Sequence, residues 1–94
     1  MTKTKSVKSM DLAAAIAVAK DGLRGLVGLE VAGVTQASPL DGGWLVTLEM
    51  LERRMVPETQ DVLGVYEVEL KNGRVARYER RRVRRRVDVE ELIG

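Results

Sequence analysis

Between Tyr78 and Val87 the chain reads YERRRVRRRV, six arginines in ten residues. Guanidinium groups at that density hold anions: a carboxylate through two parallel hydrogen bonds, or a phosphate through charge. From Arg77 to Arg86 seven arginines stand against one glutamate, a local charge of +6. The rest of the chain carries nine Lys or Arg against thirteen Asp or Glu, which is −4, and the two sum to the net +2. A general nucleic-acid binder spreads positive charge over a whole face. A single basic strip on a mildly acidic background suits docking to an acidic protein surface. Arg77, Arg80, Arg81, Arg84 and Arg85 are the candidate partner-binding residues. The alternative is a small nucleic-acid-binding regulator whose arginines contact phosphates in a salt-dependent way. Against it stand the near absence of interleaved aromatic rings and the return of acid in DVEEL, so nucleic acid is the less favoured partner. A third reading is a solvated edge strand that its charges protect from aggregation.

Other chemistry is poorly supplied. Without cysteine there are no disulfides, thiolate metal sites or thiol nucleophiles, and without histidine the commonest metal ligand and neutral-pH base are missing. Ser6, Ser9 and Ser38 have no histidine to activate them. DGGW and KNGR lack the spacing of a phosphate-cradling loop, and no Asp-rich stretch has calcium-loop spacing. The expectation is a non-enzyme with no catalytic residue, no cofactor and no metal. Glu49, Glu52, Glu67 and Glu69 are most simply cross-strand partners for arginines, at ~0.2–1 kcal/mol each. The three aromatic residues, Trp44, Tyr66 and Tyr78, are most simply large core pieces in a chain without phenylalanine.

Ninety-four residues make one small domain. The opening MTKTKSVKSM has no apolar h-region, and no apolar run approaches the ~18 residues of a membrane-spanning helix. The expected location is cytoplasmic, away from the membrane.

The elements that must carry the strip follow from periodicity. Residues 1–9 read as a disordered tail, 10–87 as the domain and 88–94 as a short acidic tail. Ser9 is the expected N-cap of a helix over 10–27, with Asp11 in its first turn. Leu12, Ile16, Ala19, Leu23 and Leu26 share one helical face. Gly22 and Gly25 cost ~1 kcal/mol each relative to alanine and allow close packing, and Gly28 suits the residue that ends a helix.

Beyond Gly28 the period becomes two. VAGVTQAS is a first strand, and PLDGG a turn. In WLVTLEMLE the even positions Trp44, Val46, Leu48 and Met50 face the core. ERRMVPETQD is a charged loop, and in DVLGVYEVEL Tyr66, Val68 and Leu70 point inward. Asn72-Gly73 closes a hairpin. A three-residue loop, pairing Tyr66 with Tyr78 and Glu67 with Arg77, is preferred to a two-residue turn because rings then share a face and opposite charges meet. RVARYERRRV is the fourth strand. Its arginines cannot all face the core, so either the sheet ends near Arg80 to Arg82 or that edge lies open. A homodimer through such an edge is possible. Arginines beyond Arg80 are too dense to be buried, so reversing Arg81 and Arg84 is expected to leave the fold intact. The fold class is α+β: one N-terminal helix packed on a four-stranded antiparallel meander sheet.

With these pieces in order the chain resembles the gas vesicle protein O family, from about Ala13 to Val87. The likeness rests on a helix ending before GLEVAGV, on GGWLVTLEMLE, on the Pro57-to-Asp61 step, and on DVLGVYEVEL with a glycine turn and YERRRVRRR. The tyrosine that the family carries inside its basic run is replaced here, at Arg85 or Arg86. The resemblance implies an accessory protein of gas vesicle assembly, cytoplasmic or associated with the vesicles, without catalytic residues. It also implies contacts with other gas vesicle proteins, among them the accessory ATPase and the F/L-type proteins.

Overall fold

The computed structural model of the protein describes residues 10–87. The expected tails, and Ser9 with them, lie outside the described residues. Helix α1 spans Leu12–Val27 and its cap is Asp11, not Ser9: the Asp11 carboxylate accepts from the Ala14 N–H at 2.8 Å. An anionic cap satisfies a free donor and sits at the positive end of the helix dipole, so the helix starts just after it. Gly28 ends the helix at φ 71°, its N–H donating to Arg24 O at 2.9 Å.

The buried stripe of α1 is Ala15, Ala19 and Leu23, while Leu12 and Leu26 are 50% and 56% exposed. The expected stripe is therefore rotated toward its smallest residues. Small side chains let the helix axis approach the sheet, where dispersion contacts are gained. Gly22 belongs to this close approach, because a Cβ there would lie 2.5 Å from Val75 Cγ2; Gly25 has nothing within 4 Å.

Four antiparallel strands follow: β1 (Glu30–Leu40), β2 (Gly43–Arg53), β3 (Val62–Lys71) and β4 (Arg74–Arg85), in the order β1-β2-β3-β4. This is the expected α+β meander with one helix on one face. Ala15, Ala19 and Leu23 pack on Val46, Leu48, Met50, Tyr66, Val68 and Leu70, so the even positions of β2 face the helix as read from the sequence. The link between β2 and β3 carries Pro57 and a short 3-10 turn, Glu58–Gln60.

The β3–β4 hairpin corrects the expected register. Its turn has two residues, Asn72 (φ 54°) and Gly73 (φ 80°), between the paired Lys71 and Arg74. This left-handed pair matches strand twist. Two irregularities then reset the alternation. Leu70 pairs Val75 but Glu69 pairs Arg77, leaving Ala76 extra; Tyr66 pairs Arg80 but Val65 pairs Arg82, leaving Arg81 extra. Tyr78 thus lies opposite Val68 rather than Tyr66, and Arg77 opposite Glu69 rather than Glu67. Each bulge moves later side chains to the other face. Together they place Val75, Tyr78 and Val83 on the helix side although these residues are three and five positions apart. Tyr66 and Tyr78 still share a face, with ring centroids 6.4 Å apart.

Candidate functional site: the arginine-rich outer strand

β4 remains a strand through Arg85, so the sheet does not end near Arg80 to Arg82 and, among the described residues, its outer edge lies open instead. The bulges divide its side chains between two faces. Arg80 lies on the helix side with its partner Tyr66; Arg77 and Arg84 lie on the open side with Glu69 and Leu63.

Most of these arginines are held by the chain's own acids. Arg77 Nε donates to Glu69 Oε1 at 3.0 Å, and Lys71 Nζ lies 3.4 Å from the other oxygen of that carboxylate. Arg81 reaches Glu79 at 3.0 Å and Glu67 at 3.8 Å. Arg86 reaches Asp61 at 3.3 Å. Asp61 is nearly buried and also accepts from the Met55 N–H at 2.7 Å. Backbone bonds from Arg86 N to Asp61 O and from Val87 N to Thr59 O then fasten the end of β4 to the β2–β3 link.

Two pairs cross a whole strand. On the helix side Arg80 grips Glu52 with two hydrogen bonds, 2.9 and 2.8 Å, and Tyr66 Oη donates to the same carboxylate at 3.1 Å. The carboxylate passes over Gly64, where a Cβ would collide with it. On the open side Arg84 grips Glu49 at 2.6 and 3.0 Å. Since Arg84 is on β4 and Glu49 on β2, the arginine stem crosses β3 on the face that carries Leu63 and Val65. Both residues are buried although neither belongs to the helix-side core. The four glutamates expected to face arginines all do so: Glu49, Glu52, Glu67 and Glu69. The expectation that Arg84 can be reversed freely is corrected, because Glu49 is only 8% exposed and its carboxylate is gripped at both oxygens.

The electrostatics of the helix-side cluster follow from this geometry. The Arg80 hydrogen bond holds the Glu52 carboxyl below its ordinary value against the opposing effect of burial, and the Tyr66 hydroxyl adds to the lowering. Burial, then the bond to Glu52, pushes the Tyr66 hydroxyl up. The same pairing raises Arg80.

Of the expected docking residues, four are thus engaged internally: Arg77, Arg80, Arg81 and Arg84. Arg85 is exposed and makes no ion pair among the described residues, and neither does Arg82, which was not among the candidates. Arg82 stands opposite Val65 on the open side, and Arg85 opposite Val62 on the helix side. Counting Glu49, Glu52, Glu67 and Glu69 against the strip gives the signal that most of its charge is matched; which arginines stay free depends on the bulges. Of the three rings, Tyr66 is buried, Trp44 is half-buried and donates to Met10 O at 3.1 Å, and Tyr78 is 42% exposed. Among the described residues no cluster of metal-binding side chains occurs, and no helix is long and apolar enough to cross a membrane.

Fold and site together define a small α+β domain whose outer strand is dense in arginine and strapped to its neighbours by glutamates. The family described as gas vesicle synthesis protein GvpO matches residues 1–90, and the chain belongs to that family. Gas vesicle protein O1 of Halobacterium salinarum is 36% identical over 89 residues, which are 94% of this chain and 75% of that protein. Gas vesicle protein O of Haloferax mediterranei is 35% identical over 77 residues, 80% of this chain and 55% of that protein. Gas vesicle protein O of a Streptomyces species is 41% identical over 61 residues, 64% of this chain and 46% of that protein. The matches thus span three quarters of the first relative and about half of the other two. No solved structure matches. The family gives the protein a gas-vesicle-related role.

Proposed function

We propose that the protein is a non-catalytic accessory protein required for gas vesicle assembly, and that it acts by docking other gas vesicle proteins through β4. The accessory ATPase and the F/L-type proteins are the partners to try first, and the place of action is the cytoplasm or the vesicle itself. The observation that carries the reading is the pair Arg82 and Arg85, exposed at the end of an outer strand and without an ion pair among the described residues, on a chain of the gas vesicle protein O family. The engaged arginines support a protein target over nucleic acid. A phosphate backbone is bound by many free cations in a row, whereas Glu49, Glu52, Glu67 and Glu69 already match most of this strip.

The test is Arg82→Glu combined with Arg85→Glu. Reversing charges at a docking rim turns attraction into repulsion and can cost several kcal/mol in binding. The variant is expected to fold normally, to lose capture of its gas vesicle partner, and to leave cells lacking the protein without vesicles, scored by buoyancy or by pressure-sensitive light scattering. Normal vesicle yield from the folded variant would overturn the reading, as would tight, salt-dependent binding of nonspecific DNA or RNA that the same substitutions abolish.

A further inference from the structure

We propose that β4 takes up its partner by strand addition: an extended acidic segment of another protein pairs with the free edge of β4 along Arg82–Arg85. The inference rests on the docking reading and specifies its chemistry.

Among the described residues β4 is an outermost strand paired with β3 alone, so one row of its backbone N–H and C=O groups has no partner in the sheet; within that stretch the Arg85 carbonyl accepts from Arg84 Nη1 at 2.8 Å and keeps its second lone pair for a neighbour. The strand spans twelve residues and contains no proline, so every N–H on the free row can donate. The opposite edge differs: β1 contains Pro39, and its only charged residue, Glu30, is engaged by Arg54. Edges are usually blunted by charge, and β4 is blunted against one kind of neighbour only. A second β4 would set arginine against arginine, which argues against pairing between copies. A strand bearing acids would meet Arg82 and Arg85, which make no ion pair among the described residues.

The register specifies the neighbour further. Residues directly opposite on paired strands share a face. Arg82 points to the open side, Val83 to the helix side beside Gly64, and Arg85 to the helix side beside Val62. Val83 is 44% exposed, and Arg84 is already bound to Glu49. The complementary segment therefore reads, along β4 from Arg82 to Arg85, acidic, apolar, any residue, acidic. Main-chain hydrogen bonds supply affinity in such recognition, and the alternating side chains supply specificity.

The probe is a short synthetic peptide with that pattern, labelled for fluorescence anisotropy and titrated onto the full chain. Three relatives of it are compared: a scrambled peptide of the same composition, and two peptides N-methylated at alternate amides, one for each phase. Strand addition uses one edge of the peptide. One methylated phase should therefore bind weaker by on the order of tenfold or more, as expected for losing two hydrogen bonds, while the other phase binds as the parent does. Hydrogen exchange at the outward-facing amides of β4 between Arg82 and Arg85 should slow in the complex. Equal binding by both methylated phases would overturn strand addition and leave docking through side chains standing. So would failure of the parent peptide while gas vesicle proteins are still captured through Arg82 and Arg85. Loss of both effects, with capture indifferent to Arg82→Glu and Arg85→Glu, would remove the docking reading as well. A concentration-dependent dimer that disappears when the chain is ended at Val87 would also overturn the proposal, because a second copy would then be the occupant.

Discussion

Arg84→Glu should unfold this domain far more readily than Arg82→Glu, two positions away on the same strand. Glu49 is 8% exposed and both its oxygens are bound by Arg84, at 2.6 and 3.0 Å. Breaking a fully buried pair by removing one partner costs roughly 3–5 kcal/mol. The Arg84 side chain is 32% exposed, so water relieves part of that cost. About 2–3 kcal/mol remains, before counting the repulsion between two carboxylates or the lost cover over Leu63 and Val65. For a domain of this size each kcal/mol lowers the melting temperature by roughly 4–8 °C, so the fall should be about 10–20 °C. Arg82 has no ion pair among the described residues, and its reversal should cost less than about 0.5 kcal/mol. Urea unfolding followed by circular dichroism measures both, with an unchanged m value as the check that the same transition is compared. Replacing the pair together, Glu49→Leu with Arg84→Met, should recover most of the loss, since an apolar pair of similar volume needs no partner. If Arg84→Glu melts within about a degree of Arg82→Glu, the cross-strand strap contributes nothing and the reasoning fails.

Glycine substitutions in α1 should have opposite signs. Gly25→Ala should stabilise by up to about 1 kcal/mol, because nothing lies within 4 Å of the new methyl group. Gly22→Ala should destabilise despite the same helix-propensity gain, because its Cβ would press on Val75 at 2.5 Å; thermal melts showing both variants stabilised would refute the close approach. Leu48→Asp, fully buried in the core, should unfold the domain at a cost of several kcal/mol, whereas Thr47→Asp on the opposite face should be tolerated. The Glu52 carboxyl is depressed in the folded state by Arg80. Its stabilising effect is therefore full above the ordinary carboxylate range and is lost as the pH falls through the lowered folded value. Glu52→Gln should flatten that part of the acid unfolding profile, and an unaltered profile would mean that the pair with Arg80 does not form in solution.

Much of the architecture was legible in the residues themselves. The switch from a three-to-four period to a period of two at Gly28 announced one helix and then strands, because a helix and a pleated strand bury different spacings of the same apolar residues. Gly28 itself, the even positions of β2 and the place, though not the length, of the Asn72-Gly73 turn could be assigned because local backbone chemistry fixes them. The matching of Glu49, Glu52, Glu67 and Glu69 to arginines was also within reach, since acids on neighbouring strands need only the right general order.

What the tertiary structure alone decided is which arginine meets which acid. The apolar positions of β4, Val75, Tyr78 and Val83, are spaced by three and five, odd intervals that no regular strand can place on one face. Bulges at Ala76 and Arg81 resolve the conflict, and each moves the later arginines to the opposite side. How far α1 is rotated was likewise settled by packing: Ala19 and Leu23 of the expected stripe are buried, joined by Ala15 and the close approach at Gly22, while Leu12 and Leu26 stay half exposed. The straps from Arg80 to Glu52 and from Arg84 to Glu49 join strands that are not adjacent, and the first requires the bare backbone of Gly64 beneath it. Such pairings depend on the final register and on the space above β3. Neither is a property of any short stretch of chain, because a shift of one residue would send every later side chain to the other face.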